Sequence, residues 1–297
     1  MQSARLSDLI RGLKMKDGET INDQELRIRY ALERFLTRLS RSEYRDNFVL
    51  KGGFLMGMIY NIGQRATKDL DTVVKNLSAE QEEIRKALQT VSELDLNDGV
   101  TFIVSEITRT QDQRRYSGFR AKMIMHFNGE QSRVNFDLDI GVGDVITPAA
   151  SNMDLKLTFN EARGENEPIT ILAYPLQSIL AEKLETVLEK GIINSRMKDF
   201  YDLRLMLSDP NRPTIDLCYA AFENTWMFRH GSVIDEELFE DWLFVIEDVE
   251  NNETVNQVFW PNYVKDRKYA QDIDFKQITQ QIKEFILELQ QFYLQLR

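Results

Sequence analysis

Hydrophobic side chains recur along this chain with two different periods, and the change of period divides it. Between residues 22 and 40, Leu26, Tyr30, Phe35 and Leu39 return about once per turn among Arg27, Arg29, Glu33, Arg34 and Arg38, which predicts an amphipathic helix. The run Phe48-Val49-Leu50 predicts a short apolar strand or turn. After Lys51-Gly52-Gly53, the stretch from Phe54 to Ile62, with Met56, Met58 and Tyr60, is long enough for a helix. Asp69 to Val74 reads as a strand. Ser78, with Glu82 nearby, is the expected start of a helix of about 14 residues. Three strand candidates follow. Residues 100–107 form the first. In the second, Phe119, Ala121, Met123, Met125 and Phe127 alternate with Arg120, Lys122, Ile124 and His126. In the third, Val134, Phe136, Leu138 and Ile140 alternate with Asn135, Asp137 and Asp139. After Ile169 to Tyr174 the pattern turns helical and stays so, punctuated by Pro175, Pro210, Pro213 and Pro261. The expectation is an α+β chain: a mixed-sheet α/β domain with N-terminal helices over 1–175, then a helical domain over 176–297 that completes the active site.

Composition narrows the function classes. The 297 residues carry 37 basic and 48 acidic side chains, a net charge of −11. Residues 1–51 hold 11 basic and 8 acidic side chains, and residues 208–297 hold 8 and 17, so acidity concentrates in the last third. Indiscriminate coating of nucleic acid is excluded, because that binding rests on neutralising phosphates with Lys and Arg. Cys218 is the single cysteine, so there is no intramolecular disulfide and no multi-cysteine zinc site. His126 and His230 leave little material for a histidine-based metal centre. No apolar run approaches the roughly 20 residues of a membrane helix. The first residues lack the apolar core of a signal peptide, and cytoplasmic location is the default expectation.

Four features can carry chemistry. Lys51-Gly52-Gly53 lies between an apolar strand and a helix. Paired glycines allow close backbone approach, and a helix start offers free N–H groups to phosphate; a simple tight turn has the same sequence. In Asp69-Leu70-Asp71, residues two apart on a strand point to one face, so both carboxylates converge while Leu70 enters the core. Two adjacent carboxylates repel unless a cation lies between them, and Mg²⁺ held by carboxylates and substrate phosphates is the usual solution. Asp137-Leu138-Asp139 repeats the pattern. It is either one wet face of a sheet or the source of a third acid for phosphoryl displacement. On the helix after Pro175, Lys183 falls inside the stripe of Leu176, Ile179, Leu180, Leu184, Val187 and Leu188, while Glu182, Glu185 and Glu189 keep to the polar side. An inward lysine needs a partner or must snorkel; a phosphate contact is the functional alternative. Downstream, Asp199 and Asp202 share a helical face, as surface decoration or as site acids.

In this order the features are specific. Phe48-Val49-Leu50-Lys51-Gly52-Gly53, Arg65-Ala66-Thr67-Lys68-Asp69-Leu70-Asp71, Asp139-Ile140-Gly141-Val142-Gly143-Asp144 with Thr147-Pro148, Ala181-Glu182-Lys183-Leu184-Glu185-Thr186 and Lys198-Asp199-Phe200-Tyr201-Asp202-Leu203 span residues 48–203. Over them the chain resembles the AbiEii/AbiGii-type nucleotidyltransferase toxins of the polymerase-β-like superfamily. The resemblance is weakest over residues 210–297. It implies a toxin of a bacterial toxin–antitoxin or phage-abortive-infection pair that uses Mg²⁺ to transfer a nucleotide from an NTP. The implied acceptor is RNA, for some members the tRNA 3′ end, with translation blocked and a cognate antitoxin as partner. It also implies roles. Gly52 and Gly53 cradle the triphosphate, with Lys51, Arg65 and Thr67 as further nucleotide contacts. Asp69, Asp71 and Asp139 hold the metals, Lys183 touches nucleotide phosphates, and Asp199 or Asp202 completes the site. Many superfamily members follow the glycines with Ser or Thr; Phe54 stands here, so phosphate binding leans on backbone N–H groups, Lys51 and Arg65.

Arg109, Arg114, Arg115, Arg120 and Lys122, with Tyr116 and Phe119 interleaved and Asp112 the one acid, make a candidate RNA contact or an exposed hairpin. In the last helix, Phe275, Ile278, Ile282, Phe285, Leu289, Phe292 and Leu296 form a seam. It docks on its own domain or serves a dimer or antitoxin interface. Two other functions are weighed beside the RNA-directed toxin: a small-molecule, antibiotic-type nucleotidyltransferase, and a non-catalytic nucleotide-binding interaction protein.

Overall fold

The computed structural model describes every residue except 18–21, 61–66, 68, 112–116, 163, 165, 166 and 266, with backbone alone at 16, 17, 111 and 117. The chain forms two compact units, Met1–Asp144 with Ala150–Ala173, and Val145–Ala149 with Tyr174–Arg297. In order, the first unit contains α1 (Ser3–Asp17), α2 (Asp23–Leu39), β1 (Phe48–Lys51), α3 (Gly52–Ile59), β2 (Asp69–Val74), α4 (Gln81–Glu93), β3 (Val100–Gln111), β4 (Ser117–Phe127), β5 (Arg133–Val142), β6 (Ser151–Leu155), α5 (Thr158–Ala162) and β7 (Ile169–Ala173).

Its strands make one mixed seven-stranded sheet in the order β3-β4-β5-β2-β1-β7-β6. The central pair, β2 and β5, is parallel, while β1 runs antiparallel to β2 and β4 antiparallel to β5. Alternation decides the faces. Leu50, Leu70, Ile107, Ala121 and Leu138 are buried on one side, where α2 packs on β5 and α4 on β3. The other side carries the charged positions of the same strands.

α2 brings charge into this core. Arg34 Nε donates to Asp98 Oδ2 at 2.8 Å, and Arg38 Nη2 donates to Asp98 Oδ1 at 2.9 Å, all three side chains being buried. Burial pushes Asp98 upward, but the two guanidiniums outweigh it and hold its carboxyl below the usual range. Glu33, wholly buried, accepts from the backbone N–H groups of Thr158 and Phe159 at the start of α5. Burial raises its pKa against those bonds and Arg29.

The second unit is helical: α6 (Leu176–Lys190), a 3₁₀ turn at Gly191–Ile193, α7 (Met197–Leu207), α8 (Ile215–His230), α9 (Glu236–Asn251), a π-helical Val255–Phe259 leading into α10 (Trp260–Val264), and α11 (Phe275–Gln295). The last helix packs on α7, α8 and α9. Its buried seam is Phe275, Ile278, Ile282, Phe285, Ile286, Leu289 and Tyr293. The expected seam therefore docks within its own unit. It ends on Tyr293 rather than Phe292, and Leu296 is exposed because the helix stops at Gln295.

Three local expectations change. α4 begins at Gln81 with Glu80 as its N-cap, not Ser78, and the cap makes no side-chain hydrogen bond. Glu82 and Glu83 in the first turn supply the favourable charge instead. The helix of α3 starts at the glycines themselves and ends at Ile59; Asn61 and Ile62 lie outside the described residues. β6 and α5, both five residues long, carry too short a pattern to be read in sequence.

Candidate active site

Strand register builds the site. Asp69 lies opposite Asp137, and Asp71 opposite Asp139, across the parallel β2–β5 pair. On the flanking strands, Lys51 is opposite Asp71, Arg120 opposite Asp139, and Thr108 opposite Arg120. One rung of the sheet thus reads Thr108, Arg120, Asp139, Asp71, Lys51. The next reads Glu106, Lys122, Asp137, Asp69. Because residues two apart share a face, all nine positions lie on the side away from α2 and α4.

Asp69, Asp71 and Asp139 each place a carboxylate oxygen within 4.8 Å of the other two, and all three are half-buried. Three hard oxygen donors at that spacing suit a divalent cation. Asp137, although it shares a rung with Asp69, is not part of the trio. Arg120 closes the third acid from the side: Nε donates to Asp139 Oδ1 at 2.6 Å and Nη2 to Oδ2 at 2.7 Å. That bidentate pair raises the guanidinium's pKa, with smaller help from the charges of Asp137 and Asp69.

Gly52 is required for two reasons. Its φ is +70°, in the left-handed region. A Cβ there would also overlap the carboxylate of Asp71. Asp71 Oδ2 in turn accepts from the Gly53 N–H at 3.3 Å. The anion received by the start of α3 is therefore the side chain of Asp71, where the resemblance implies a triphosphate. Lys51 Nζ donates to Asp144 Oδ2 at 2.5 Å, which fixes the lysine at the edge of the acid face. Thr67 is half-buried just before β2, and Arg65 lies outside the described residues.

The second unit holds the other predicted set. Lys183 on α6 donates to Asp199 Oδ1 at 2.8 Å and reaches Asp202 Oδ2 at 2.6 Å, both on α7. Asp199 and Asp202 are 1% and 0% exposed, so surface decoration is excluded. Arg196 Nε also lies 3.1 Å from Asp199 Oδ2. Burial drives Asp199 upward, yet Lys183, Arg196 and Lys198 together hold its carboxyl below the usual range. The lysine in the apolar stripe thus has partners and does not snorkel. Ser178 receives the Thr147 N–H at 2.9 Å and donates back to the Thr147 carbonyl at 2.8 Å, tying the Thr147-Pro148 segment to α6.

Another set has the composition of a metal site: Glu185, Glu189 and His230. Both oxygens of Glu185 are engaged, Oε2 by Arg229 and Oε1 by His230 at 3.0 Å, and Trp226 stacks on the imidazole. This network joins α6 to α8.

The candidate RNA patch divides between faces. Arg120 and Lys122 share the acid face, and Lys122 pairs with Glu106 at 2.6 Å. Arg109 lies opposite Phe119 on the helix-covered face, with its guanidinium 5.7 Å from that ring and 3.9 Å from Glu80. Arg114 and Arg115 lie outside the described residues. Arg120 as the partner of Asp139 was not legible in sequence, since cross-strand register sets that contact.

An acid trio on two parallel strands beside a Gly-Gly helix start is the arrangement of a nucleotidyl-transferring enzyme. The profile of the family described as "Nucleotidyl transferase AbiEii toxin, Type IV TA system" matches residues 34–285, and the chain belongs to that family. It is a nucleotidyltransferase toxin of the type IV toxin–antitoxin kind, with a nucleotide substrate and an antitoxin counterpart. The fold is similar to that of MenT4, a nucleotidyltransferase toxin from Mycobacterium tuberculosis H37Rv. The TM-score is 0.62 at 16% identity over 97% of this chain and 89% of that one. JHP933 from Helicobacter pylori aligns with a TM-score of 0.49 at 11% identity, over 93% of this chain and 96% of that one. No curated protein sequence matches.

Proposed function

We propose that the protein uses Mg²⁺ to transfer a nucleotide from an NTP to an RNA, the tRNA 3′ end being the favoured acceptor, and so blocks translation in the cytoplasm. The observation that carries this is the convergence of Asp69, Asp71 and Asp139 within 4.8 Å on one sheet face, beside a Gly52 whose missing Cβ makes room for Asp71. These three carboxylates would hold the ion, and when bound it neutralises phosphate charge and acidifies the attacking hydroxyl.

The chain's own residues account for the rest. An acceptor hydroxyl oxygen forms a bond to the α-phosphorus, and the bond from that phosphorus to the bridging oxygen of the β-phosphate breaks. Pyrophosphate leaves, and a carboxylate of the trio takes the hydroxyl proton. Lys51, and N–H groups at the start of α3 other than that of Gly53, which Asp71 takes, are proposed to bind phosphate, with Arg65 and Thr67 assisting. Lys183, with Asp199 and Asp202, is proposed as the phosphate-binding contribution of the helical unit. Arg120 and Lys122 are the basic residues that share the acid face with the acceptor; the basic N-terminal segment is a further candidate.

The test is an acceptor screen. The purified chain is incubated with each α-labelled NTP, Mg²⁺ and, in separate reactions, pooled tRNA, total RNA, protein and cationic small molecules. Label on tRNA is the expected result. Label on a small molecule alone would establish the antibiotic-type alternative. NTP binding with no transfer to anything would establish a non-catalytic interaction protein.

A further inference from the structure

The trio of acids already carries one full positive charge at its edge, on Asp139. Both oxygens of Asp139 are engaged by Arg120, at 2.6 and 2.7 Å, in the fork geometry that guanidinium and carboxylate adopt at their strongest. A carboxylate that serves a metal is itself hydrogen-bonded by the groups around it. Here the orienting group is itself a cation. An ion entering between Asp69, Asp71 and Asp139 meets both the loss of that pair and repulsion from the guanidinium.

We propose that Arg120 is a built-in stand-in for the divalent cation, occupying Asp139 while the site is unloaded and setting the ion concentration at which the acid cluster fills. This rests on the metal-binding reading above. Two observations support it beyond the pairing. Cross-strand register places Arg120 directly opposite Asp139, so the guanidinium is delivered by the sheet itself. The Arg120 side chain is also 47% exposed, against 25% for Asp139, so it can withdraw toward solvent by side-chain rotation with the strands unmoved. Pairing and ion binding are then antagonistic and coupled reciprocally: whatever stabilises the pair weakens the ion, by the same factor. The consequence is a site whose charge is partly offset at low ion concentration and that becomes a metal centre only above a threshold.

The probe is Mn²⁺, titrated into the full-length, nucleotide-free protein while the free ion is followed by electron paramagnetic resonance. Arg120→Gln keeps a polar side chain but removes the charge and the fork. It is expected to bind Mn²⁺ about tenfold more tightly than wild type, within the usual range of coupling between two sites. Arg120→Lys, which keeps the charge without the fork, is expected to fall between them. In an Asp139→Asn background the gain from Arg120→Gln is expected to vanish. Equal or weaker Mn²⁺ affinity in Arg120→Gln would overturn the inference and leave the metal reading standing, since it would make Arg120 a support for Asp139 rather than a competitor. A gain that persists in the Asp139→Asn background would overturn it as well, because the effect would not run through the pair. No Mn²⁺ binding by wild type or Arg120→Gln would overturn the metal reading and this inference together.

Discussion

At the scale of single residues, the site concentrates like charge where folding alone would avoid it. Asp69, Asp71 and Asp139 sit within 4.8 Å of one another, with the Gly53 N–H and Arg120 among the groups that offset their repulsion. Such an arrangement costs stability, a cost accounted for by the proposed chemistry. Asp69→Asn is therefore expected to raise the unfolding free energy of the metal-free protein by about 1 kcal/mol while abolishing transfer, read by urea titration and by label incorporation on the same sample. Gly52→Ala is expected to act in the opposite sense on stability. A side chain at φ +70° that overlaps Asp71 should cost about 2 kcal/mol and displace the carboxylate, so that activity falls too. Much of this was legible in the chain. The i, i+2 spacing of Asp69 and Asp71 puts both on one face by geometry alone, and the Gly-Gly pair marks a close approach. The occupant of that approach, the carboxylate of Asp71, was not legible, because it depends on Lys51 lying opposite Asp71.

At the scale of elements, the second unit is organised by a buried charge cluster between α6 and α7. Lys183 lies between Asp199 and Asp202, both fully inside. Lys183→Met removes the cation that two buried carboxylates share, leaving Arg196 beside Asp199, and is expected to cost about 3–5 kcal/mol. Replacing all three together, Lys183→Met with Asp199→Asn and Asp202→Asn, should recover most of that loss, measured by denaturant unfolding. The sign of the pH effect follows from Asp199. Its carboxyl is held below its ordinary 3.8 in the folded chain, so its ion pair stabilises above that value and is lost as pH falls through the lower folded one. Thermal scans from pH 6 down to 2 should show a smaller acid-induced drop in Asp199→Asn than in wild type. The helical period placed Lys183 in an apolar stripe and so demanded a partner. It could not place Asp199 and Asp202 inward, because their burial depends on how α7 packs against α6. The strands were easier: alternation assigned the buried faces of β2, β4 and β5 directly. Cross-strand neighbours were beyond it, so Arg109, Arg120 and Lys122 read as one basic patch although register sends Arg109 to the opposite face.

At the scale of the molecule, a net charge of −11 belongs to a nucleotidyltransferase toxin whose family is established. The acidity has two distinct sources. A small part is the trio itself, the proposed metal site. The larger part lies in residues 208–297, with 8 basic and 17 acidic side chains, on helices whose apolar seam is spent inside their own unit. Among the described residues no helix is long and apolar enough to cross a membrane. Asp69, Asp71 and Asp139, on two adjacent rungs of the sheet, are proposed as the catalytic centre for transfer to RNA. The decisive quantity is the single-turnover rate at which an α-labelled nucleotide appears on tRNA, compared between wild type and Asp71→Asn with Mg²⁺ and with chelator. Label is expected from wild type with Mg²⁺, at a rate lower by at least about 10²–10³-fold in Asp71→Asn or with the ion removed. Label appearing at the same rate in Asp71→Asn as in wild type would show that the chemistry lies elsewhere.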